Sequence, residues 1–476
     1  MELFLLTTPL ALILSAAVFL LGPIRGFPYL MASLPLGAGA AFNLPSLGGA
    51  SVLIGNLTAA AYLAGCLVYP AFLQRLRGVL RPEQTGFQLS LFVFFALGVT
   101  YLAPQWFANQ TVVFSIERGV ESEIIEYSPL HSSTGNITQG LYFLQSVLIF
   151  LAVRASFREE DFPSITRGFL VATIVHLFLA GADLLTYALG QTDWMGLIQT
   201  ANYTILSEST LGGLKRIVAG FSEASTCGGF TLGLLGFWIG YWLGGGSRMP
   251  WIQAGLLSLV LLFSTASSAY AAGVMFLFIL LSVLVLKTLL QRTSPRENAL
   301  LSISTVAGIM AVCMLLLVMV VSTEVYEFFD RVAFSKLSSD SGVERGRWNE
   351  SAFQNFLDTG YLGAGLGSVR GSSLLFSLLG TLGIVGLCFY VWFIVRLVED
   401  FLAERMSQDS EVPAVRTGAA AVCLALFCNY LLINSSPDMG LTWMIAAALL
   451  GLGEPDWKTA TVFLERRSFG FVGGHP

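Results

Sequence analysis

Charged residues are scarce in this chain. Of its 476 residues only 12% are Asp, Glu, Lys or Arg, whereas 55% are hydrophobic, and the mean hydropathy is +0.73. A soluble fold of this length needs more polar surface than such a composition supplies. The composition therefore excludes a soluble globular protein and favours a protein whose solvent is lipid.

Residues that make metal, redox and nucleotide sites are also few or scattered. The chain has three histidines and six cysteines, with no CxxC pair, no Cys/His cluster and no Walker motif. Zinc sites and disulfide frameworks depend on such groupings. We therefore predict no cofactor and no metal. A net charge of −5 without a basic stripe likewise argues against a nucleic-acid partner.

What the chain does have is a series of long apolar runs. They lie near residues 3–22, 28–47, 50–73, 87–107, 138–154, 166–189, 225–244, 251–267, 269–287, 299–322, 373–395, 417–434 and 440–454. About 20 apolar residues cross the hydrocarbon core, and backbone polar groups in lipid must be satisfied within a helix. The sequence predicts an all-α polytopic bundle of 12 or 13 transmembrane helices, in a single integral membrane domain over residues 1–476. The run at 28–47, broken by prolines, is the one that decides between the two numbers.

Lysine and arginine indicate the orientation. If the runs alternate across the membrane, most of the 25 basic residues fall in connections on one side, which the positive-inside rule makes cytoplasmic. We therefore predict a multi-pass protein of the bacterial inner (cytoplasmic) membrane with a cytoplasmic C-terminus. Three long connections, 108–137, 190–224 and 323–372, would then be periplasmic.

The third of these loops is the largest. Its spacing predicts an amphipathic helix over 324–334 at the interface and a second helix over 346–358, followed by a glycine-rich turn. Loops of this length in compact proteins are usually functional.

Basic and acidic residues meet in the second and third loops. The basic ones are Lys215, Arg216, Arg345, Arg347 and Arg370, and the acidic ones are Glu223, Glu344 and Glu350. Arginine stays protonated and binds phosphate oxygens in pairs, which suits an anionic lipid headgroup such as a diphosphate. For each arginine taken singly, an interfacial anchor or a loop ion pair explains it equally well.

These two loops resemble the signatures of the O-antigen ligase/polymerase superfamily. Residues 344–353 read ERGRWNESAF, residues 360–373 read GYLGAGLGSVRGSS, and residues 379–386 read LGTLGIVG. They are similar to the family's Arg, downstream Trp, GxGxG turn and GIxG helix around a large periplasmic loop. Residues 216–225, RIVAGFSEAS, resemble its other signature, an Arg before a Gly-Phe and an acidic residue. Elsewhere along the chain the resemblance is weak.

The resemblance implies a class C glycosyltransferase fold acting on a polyprenyl-diphosphate-linked oligosaccharide at the periplasmic face. Ligases of the family carry a His in the large loop and a Ser-Arg pair between two middle helices. This loop has no His, and the comparable stretch at 264–270 reads STASSAY. Both departures favour a polymerase of exopolysaccharide, capsule or O-antigen repeats. A chain-length regulator and export machinery are the protein partners that such a role implies.

Roles follow from the chemistry of that reaction. Charge develops on the leaving diphosphate, so preorganised cations are the main requirement. We assign this role to Arg216, Arg345, Arg347 and Arg370, with Lys215. A carboxylate desolvated at the entry to an apolar helix is a stronger base, so Glu223 competes with Glu344 and Glu350 as general base. Trp348 and Tyr361 suit stacking on a sugar, although interfacial aromatics are more often anchors.

Two other functions remain open at this stage. A ligase would share the fold and differ in acceptor. A transporter or flippase of lipid-linked sugars would give His176 and Asp183, seven residues apart in one run, a role as a proton relay. The charges, however, gather outside the runs and no internal repeat is visible. In the glycosyltransferase reading the same pair lines a cavity or caps helices.

Overall fold

A computed structural model describes residues 1–45, 49–118, 123–203, 205–206, 210–211, 214–246, 250–321, 340–403 and 411–452. The helices are α1 (Thr7–Ser33), α2 (Ile54–Val68), α3 (Phe72–Val79), α4 (Thr85–Trp106), α5 (Thr134–Ser156), α6 (Phe162–Ala188), α7 (Asp193–Gly196), α8 (Ala224–Leu243), α9 (Trp251–Phe263), α10 (Ser267–Leu289), α11 (Pro295–Val321), α12 (Asp340–Asp358), α13 (Leu374–Leu402), α14 (Glu411–Ile433) and α15 (Gly440–Leu449). Short strands lie between them: β1 (Glu2–Leu3), β2 (Ala40–Leu44), β3 (Ala50–Leu53), β4 (Val112–Arg118), β5 (Glu123–Pro129), β6 (Thr210–Leu211) and β7 (Leu214–Lys215).

The predicted all-α polytopic helix bundle is confirmed. Among the described residues, seven helices are long and apolar enough to cross a membrane: α1, α4, α5, α6, α10, α13 and α14. The pair α2 and α3, bent by 107° at its junction, adds an eighth if it is one span.

This number is smaller than the 12 or 13 spans predicted, because apolar composition alone does not set helix length. The runs at 251–267 and 440–454 form helices of only 13 and 10 residues, α9 and α15. The 20-residue α8 has the length, but its glycines and polar residues lower its hydropathy. Apolar stretches therefore also supply short helices, of which α15 is buried in the bundle and α9 has most of its side chains exposed.

Residues 28–47, which the sequence left open as a span, do not form a separate one. Residues 23–33 continue α1 beyond a break at Gly22, where φ is +73°, and Pro23 begins the second half. The chain then leaves the helix, and residues 40–44 pair with residues 50–53 as antiparallel strands β2 and β3. Two runs thus make one kinked helix and part of a small sheet.

The closest helix pair in the bundle is α8 against α14. Glycines at positions 229, 233, 236, 240 and 244 face α14, and a Cβ on Gly240 would lie 2.4 Å from the carbonyl oxygen of Thr417. Small residues at such spacing let two helix backbones approach, which is the usual basis of helix packing in lipid. The seam ends beside Asn429, whose amide nitrogen would lie 2.3 Å from a Cβ on Gly229.

One end of the bundle carries a closed network of buried charges. Arg154, near the end of α5, forms a 2.9 Å ion pair with Asp400 of α13. Thr85 donates a 2.7 Å hydrogen bond to the same carboxylate oxygen. Arg416 of α14 donates to the backbone oxygens of Asp400, Phe401 and Leu450. Each charge in this network meets an opposite charge or a set of carbonyl dipoles.

The other end of the bundle carries the loops. Here α5, α8, α13 and α15 begin and α14 finishes, and the helix α12 from the third loop packs on α13. The predicted helix over 346–358 is confirmed as part of α12, which starts six residues earlier. The helix predicted over 324–334 lies outside the described residues. Most of the predicted site residues lie at this end.

Candidate functional site

Asp183 of α6 holds the second loop against the bundle. Its carboxylate, 1% exposed, accepts hydrogen bonds from the backbone N–H groups of Val218 (2.7 Å) and Ala219 (2.9 Å). It also forms a 3.0 Å ion pair with Lys215. Gln199 donates from the other side to the carbonyl oxygen of Ala219. The loop between residues 215 and 219 is therefore fixed in position by buried polar contacts.

This arrangement assigns different environments to the two basic residues of the loop. Lys215 is buried and its ammonium group donates to the carbonyl oxygen of Arg216 in addition to pairing with Asp183. Its position is that of a structural ion pair. Asp183 thus binds a loop, where the sequence interpretation expected a cavity lining or a helix cap. His176 on the same helix bonds Thr231 of α8 at 2.7 Å.

Arg216 lies where the second and third loops meet. Burial lowers the pKa of its guanidinium from the ordinary value, the nearby Glu223 raises it, and Arg345 of α12 lowers it. Its Nε is buried and has no hydrogen-bond partner among the described residues. Residues 216, 223 and 345, far apart in sequence, therefore act on one another electrostatically. Two arginines share this site with a single carboxylate.

Glu223 occupies the N-cap position of α8. Its backbone is extended there and its carbonyl oxygen accepts the first hydrogen bond of the helix, from Cys227. The carboxylate accepts a hydrogen bond from the Ser225 hydroxyl. A carboxylate at a helix N-terminus is stabilised by the helix dipole. The helix start fixes Glu223 between Arg216 and the interior of the bundle.

The predicted site residues of α12 lie on two different faces of the helix. Arg345, Trp348 and Asn349 lie on the face that turns toward α13 and are half-buried, and Ala352 on the same face is fully buried. Glu344, Arg347 and Glu350 are exposed, because their positions fall on the opposite arc of a 3.6-residue helix. The structure brings Arg345 to Arg216 and leaves those three residues away from it.

Trp348 and Arg370 form a pair. The guanidinium carbon of Arg370 lies 4.1 Å from the centre of the Trp348 ring, a cation–π contact. Two residues later, the backbone N–H of Ser372 donates a 2.8 Å hydrogen bond to the side chain of Asn349. The indole ring thus contacts an arginine, and its stacking on a sugar stays a prediction.

The glycine-rich turn is built into α13. This helix breaks at Gly383, where φ is +65°. The carbonyl oxygens of Gly380 and Thr381 accept from Ala364 and Gly365 of the turn, and Ile384 donates to the carbonyl oxygen of Tyr361. A Cβ on Gly363 would lie 2.5 Å from the Thr381 backbone. The turn and the helix exchange backbone hydrogen bonds, which keeps every polar group of the break satisfied.

Tyr361 takes part in this turn through its backbone. Its own φ is +69°, and its side chain is 55% exposed beside the Phe356 ring, 5.2 Å between centres. The side chain remains open to a ligand, on the outer side of the turn.

A cavity of about 460 Å³ opens beside Glu223. It lies among the ends of α1, α2, α8, α14 and α15 and the middle of α5. Its polar lining comprises Ser33, Asn56, Tyr142, Ser146, Glu223, Thr226, Asn429, Tyr430, Asn434, Ser435, Asp438 and Thr442. No Lys or Arg is among the described residues that line it.

Asp438 is the residue of this cavity that sequence reasoning did not propose for the site. Burial raises its pKa to about 6, against the lowering effects of the Gly440 N–H and the Ser146 hydroxyl. Those two donors bind separate carboxylate oxygens at 2.9 and 3.1 Å. Its place in the turn between the last two helices was the only signal, and such a turn is usually polar for structural reasons alone.

Metal coordination has no obvious place here. Across the part of the chain that the structure describes, no group of three or more His, Cys, Asp or Glu side chains is arranged to hold a metal ion.

Comparison with known proteins adds no identity. The sequence matches no model of a known protein family and no curated protein.

Proposed function

We propose that this protein is a metal-independent glycosyltransferase that polymerises polyprenyl-diphosphate-linked oligosaccharide repeat units, as its loop motifs suggest. The observation that supports this most is the meeting of Arg216, Glu223 and Arg345 beside a polar cavity in an apolar bundle. A lipid-linked diphosphate needs cations at the membrane surface, and a glycosyl acceptor needs a base. Both lie within this one site.

The reaction balances without a nucleotide. The hydroxyl oxygen of the acceptor sugar attacks the anomeric carbon of the donor, and a new C–O bond forms. The bond from that carbon to the diphosphate oxygen breaks, and the diphosphate leaves with the electron pair. The acceptor proton passes to Glu223. The diphosphate bond already carries the activation, so the protein supplies position and charge.

We assign only some of the arginines of the two loops to binding of the diphosphate. Arg216 and Arg345 interact electrostatically, and Arg370 contacts Trp348, which lies three residues along α12 from Arg345. The cost of holding two like charges together is offset when a diphosphate enters between them. Arg347, Glu344 and Glu350 lie on the exposed face of α12 and are secondary candidates.

The location follows the same proposal. The lipid bilayer is the natural solvent of the seven apolar helices. We place the end that carries Glu223 at the periplasmic face of the inner membrane, where lipid-linked glycans are polymerised, and the closed arginine network at the cytoplasmic face.

The test is reconstitution of the purified full-length chain in lipid vesicles with radiolabelled polyprenyl-diphosphate oligosaccharide from the host organism, with EDTA present and nucleotide absent. We expect a ladder of glycan products and stoichiometric release of polyprenyl diphosphate. Glu223→Gln should lower the rate by about 10²- to 10⁴-fold, the usual contribution of a general base. No ladder from this substrate, with folded protein, would overturn the proposal.

A further inference from the structure

The cavity beside Glu223 differs in charge from the arginine site next to it. Its described lining contains two carboxylates, Glu223 and Asp438, together with amides, hydroxyls and aromatic rings, and no basic residue. An anionic group entering it would meet like charge in a partly desolvated space, where such repulsion is strong. The diphosphate therefore belongs on the arginine side and not in the cavity.

What the lining does fit is a neutral polyol ring. Amide and hydroxyl groups both donate and accept, so they match sugar hydroxyls in either direction. Phe221, Phe230 and Leu426 line the same space and offer apolar contact to the C–H faces of a ring. Pockets for small ligands typically combine a mostly apolar wall with a few placed polar groups.

Asn429 supplies an independent sign that the cavity suits a polar ligand. The residue is 2% exposed, lines the cavity, and its side-chain oxygen has no hydrogen-bond partner among the described residues. A buried acceptor left unsatisfied costs about 1 to 3 kcal/mol. Its amide nitrogen is packed close to α8 at Gly229, which holds the group in place. A ligand hydroxyl would satisfy the free oxygen.

Asp438 provides selectivity for neutral over acidic sugars. Its carboxylate is held by the Ser146 hydroxyl and the Gly440 N–H, and no Lys or Arg of the described chain forms an ion pair with it. Its negative charge is therefore available to repel an acidic sugar and to accept from a neutral one.

We propose that this cavity binds an uncharged sugar ring of the acceptor glycan, with Asn429 as a binding residue and Asp438 as the residue that selects neutral over acidic sugars. The assignment of this sugar to the acceptor glycan rests on the proposed function. Glu223 borders both sites, so a hydroxyl of the bound ring lies next to the base and to the arginines that hold the donor.

The test measures binding without turnover. The full-length chain in lipid nanodiscs is studied by saturation-transfer NMR with the methyl glycosides of glucose, galactose and N-acetylglucosamine, and with methyl glucuronide. Binding of polyprenyl diphosphate without glycan is measured on the same samples. We expect at least one neutral glycoside to bind wild-type protein and the glucuronide to bind at least 10-fold more weakly.

Variants then separate the two sites. Asn429→Leu should weaken the neutral glycoside about 10-fold and leave polyprenyl diphosphate unchanged, whereas Arg345→Ala should do the reverse. Asp438→Asn should lower the ratio of the Kd for methyl glucuronide to the Kd for the neutral glycoside by about 10-fold. Gln354→Ala, at an exposed position of the same helix, is the matched surface control for both ligands. If Asn429→Leu fails to fold, Gly229→Ala replaces it, because the added methyl displaces the Asn429 amide.

The outcomes distinguish this inference from the polymerase proposal. If no neutral glycoside binds to protein that binds polyprenyl diphosphate, or if glycoside binding ignores the change at Asn429 or Gly229, the inference is overturned, whether or not polymer forms. If the glycosides bind as expected and no polymer forms, the cavity assignment stands and the polymerase proposal fails.

Discussion

Buried or half-buried arginines occur at both ends of the helix bundle, and they differ in what their guanidinium groups bind. Arg154 contacts the Asp400 carboxylate, and Arg416 contacts the backbone carbonyl oxygens of Asp400 and Phe401. Arg216 has one nearby carboxylate, a second arginine, and a buried Nε without a partner among the described residues. A closed network stabilises the fold by itself, whereas an incompletely satisfied one is stabilised further by a ligand. The contrast separates structural from functional arginines better than their burial does.

The strongest way to test the closed network is to remove half of its ion pair. Asp400→Leu leaves the Arg154 charge buried without a counterion, and such changes cost about 3 to 5 kcal/mol. We expect loss of most folded protein, measured by size-exclusion chromatography and thermal unfolding in detergent. The double variant Arg154→Met with Asp400→Leu should recover most of that loss. Equal damage in both variants would contradict the comparison.

At the other end, removing a cation should affect activity and not folding. Arg345→Ala should lower the polymerisation rate by about 10²- to 10³-fold, the usual loss for one preorganised electrostatic contact to a developing charge. Arg347→Ala, two residues away on the exposed face, should lower it less than threefold. Thermal unfolding of both variants should match wild type. Equal rates for the two variants would remove Arg345 from the site.

Asp438 adds a dependence on pH. Its folded pKa of about 6 lies above the value of about 3.9 in an unfolded chain, so the folded protein holds an extra proton between these values. Its contribution to stability is therefore present at low pH and is lost as the pH rises through 6. We expect the wild type to lose about 2 kcal/mol of stability relative to Asp438→Asn between pH 4.5 and 7.5. Parallel unfolding temperatures for the two proteins across that range would contradict the assignment.

The smallest effect should come from Trp348. Cation–π contacts of this kind contribute about 0.5 to 2 kcal/mol. Trp348→Leu should therefore raise the Kd for polyprenyl diphosphate by about three- to tenfold through a less constrained Arg370, and Trp348→Phe by less. The Kd for a neutral methyl glycoside should stay unchanged in both. A change in glycoside affinity instead would return Trp348 to the sugar-stacking role.

Sequence reasoning reached the bundle, most helix bounds and the two loops that meet, because run length reports membrane-crossing helices directly. The orientation that it drew from the basic residues stays a prediction. It did not predict that Arg345 lies on the inner face of α12 while Arg347 and Glu350 lie on the exposed face. Residues 344–350 are polar all round, so apolar periodicity could not indicate the inner face of α12. It also made no use of the spacing of Gly229, Gly233, Gly236 and Gly240, which lets α14 approach closely and places Asn429 in the cavity. Asp438 was overlooked because only tertiary packing turns a polar hairpin residue into a cavity residue.

The exchange of backbone hydrogen bonds between the glycine-rich turn and α13 has a mechanical consequence. A movement of residues 361–365 would strip Gly380, Thr381 and Ile384 of their partners and unwind a helix in the middle of the bundle. The turn is therefore held in a fixed position against α13 and does not move as a lid. Any movement that opens this end of the bundle must hinge elsewhere.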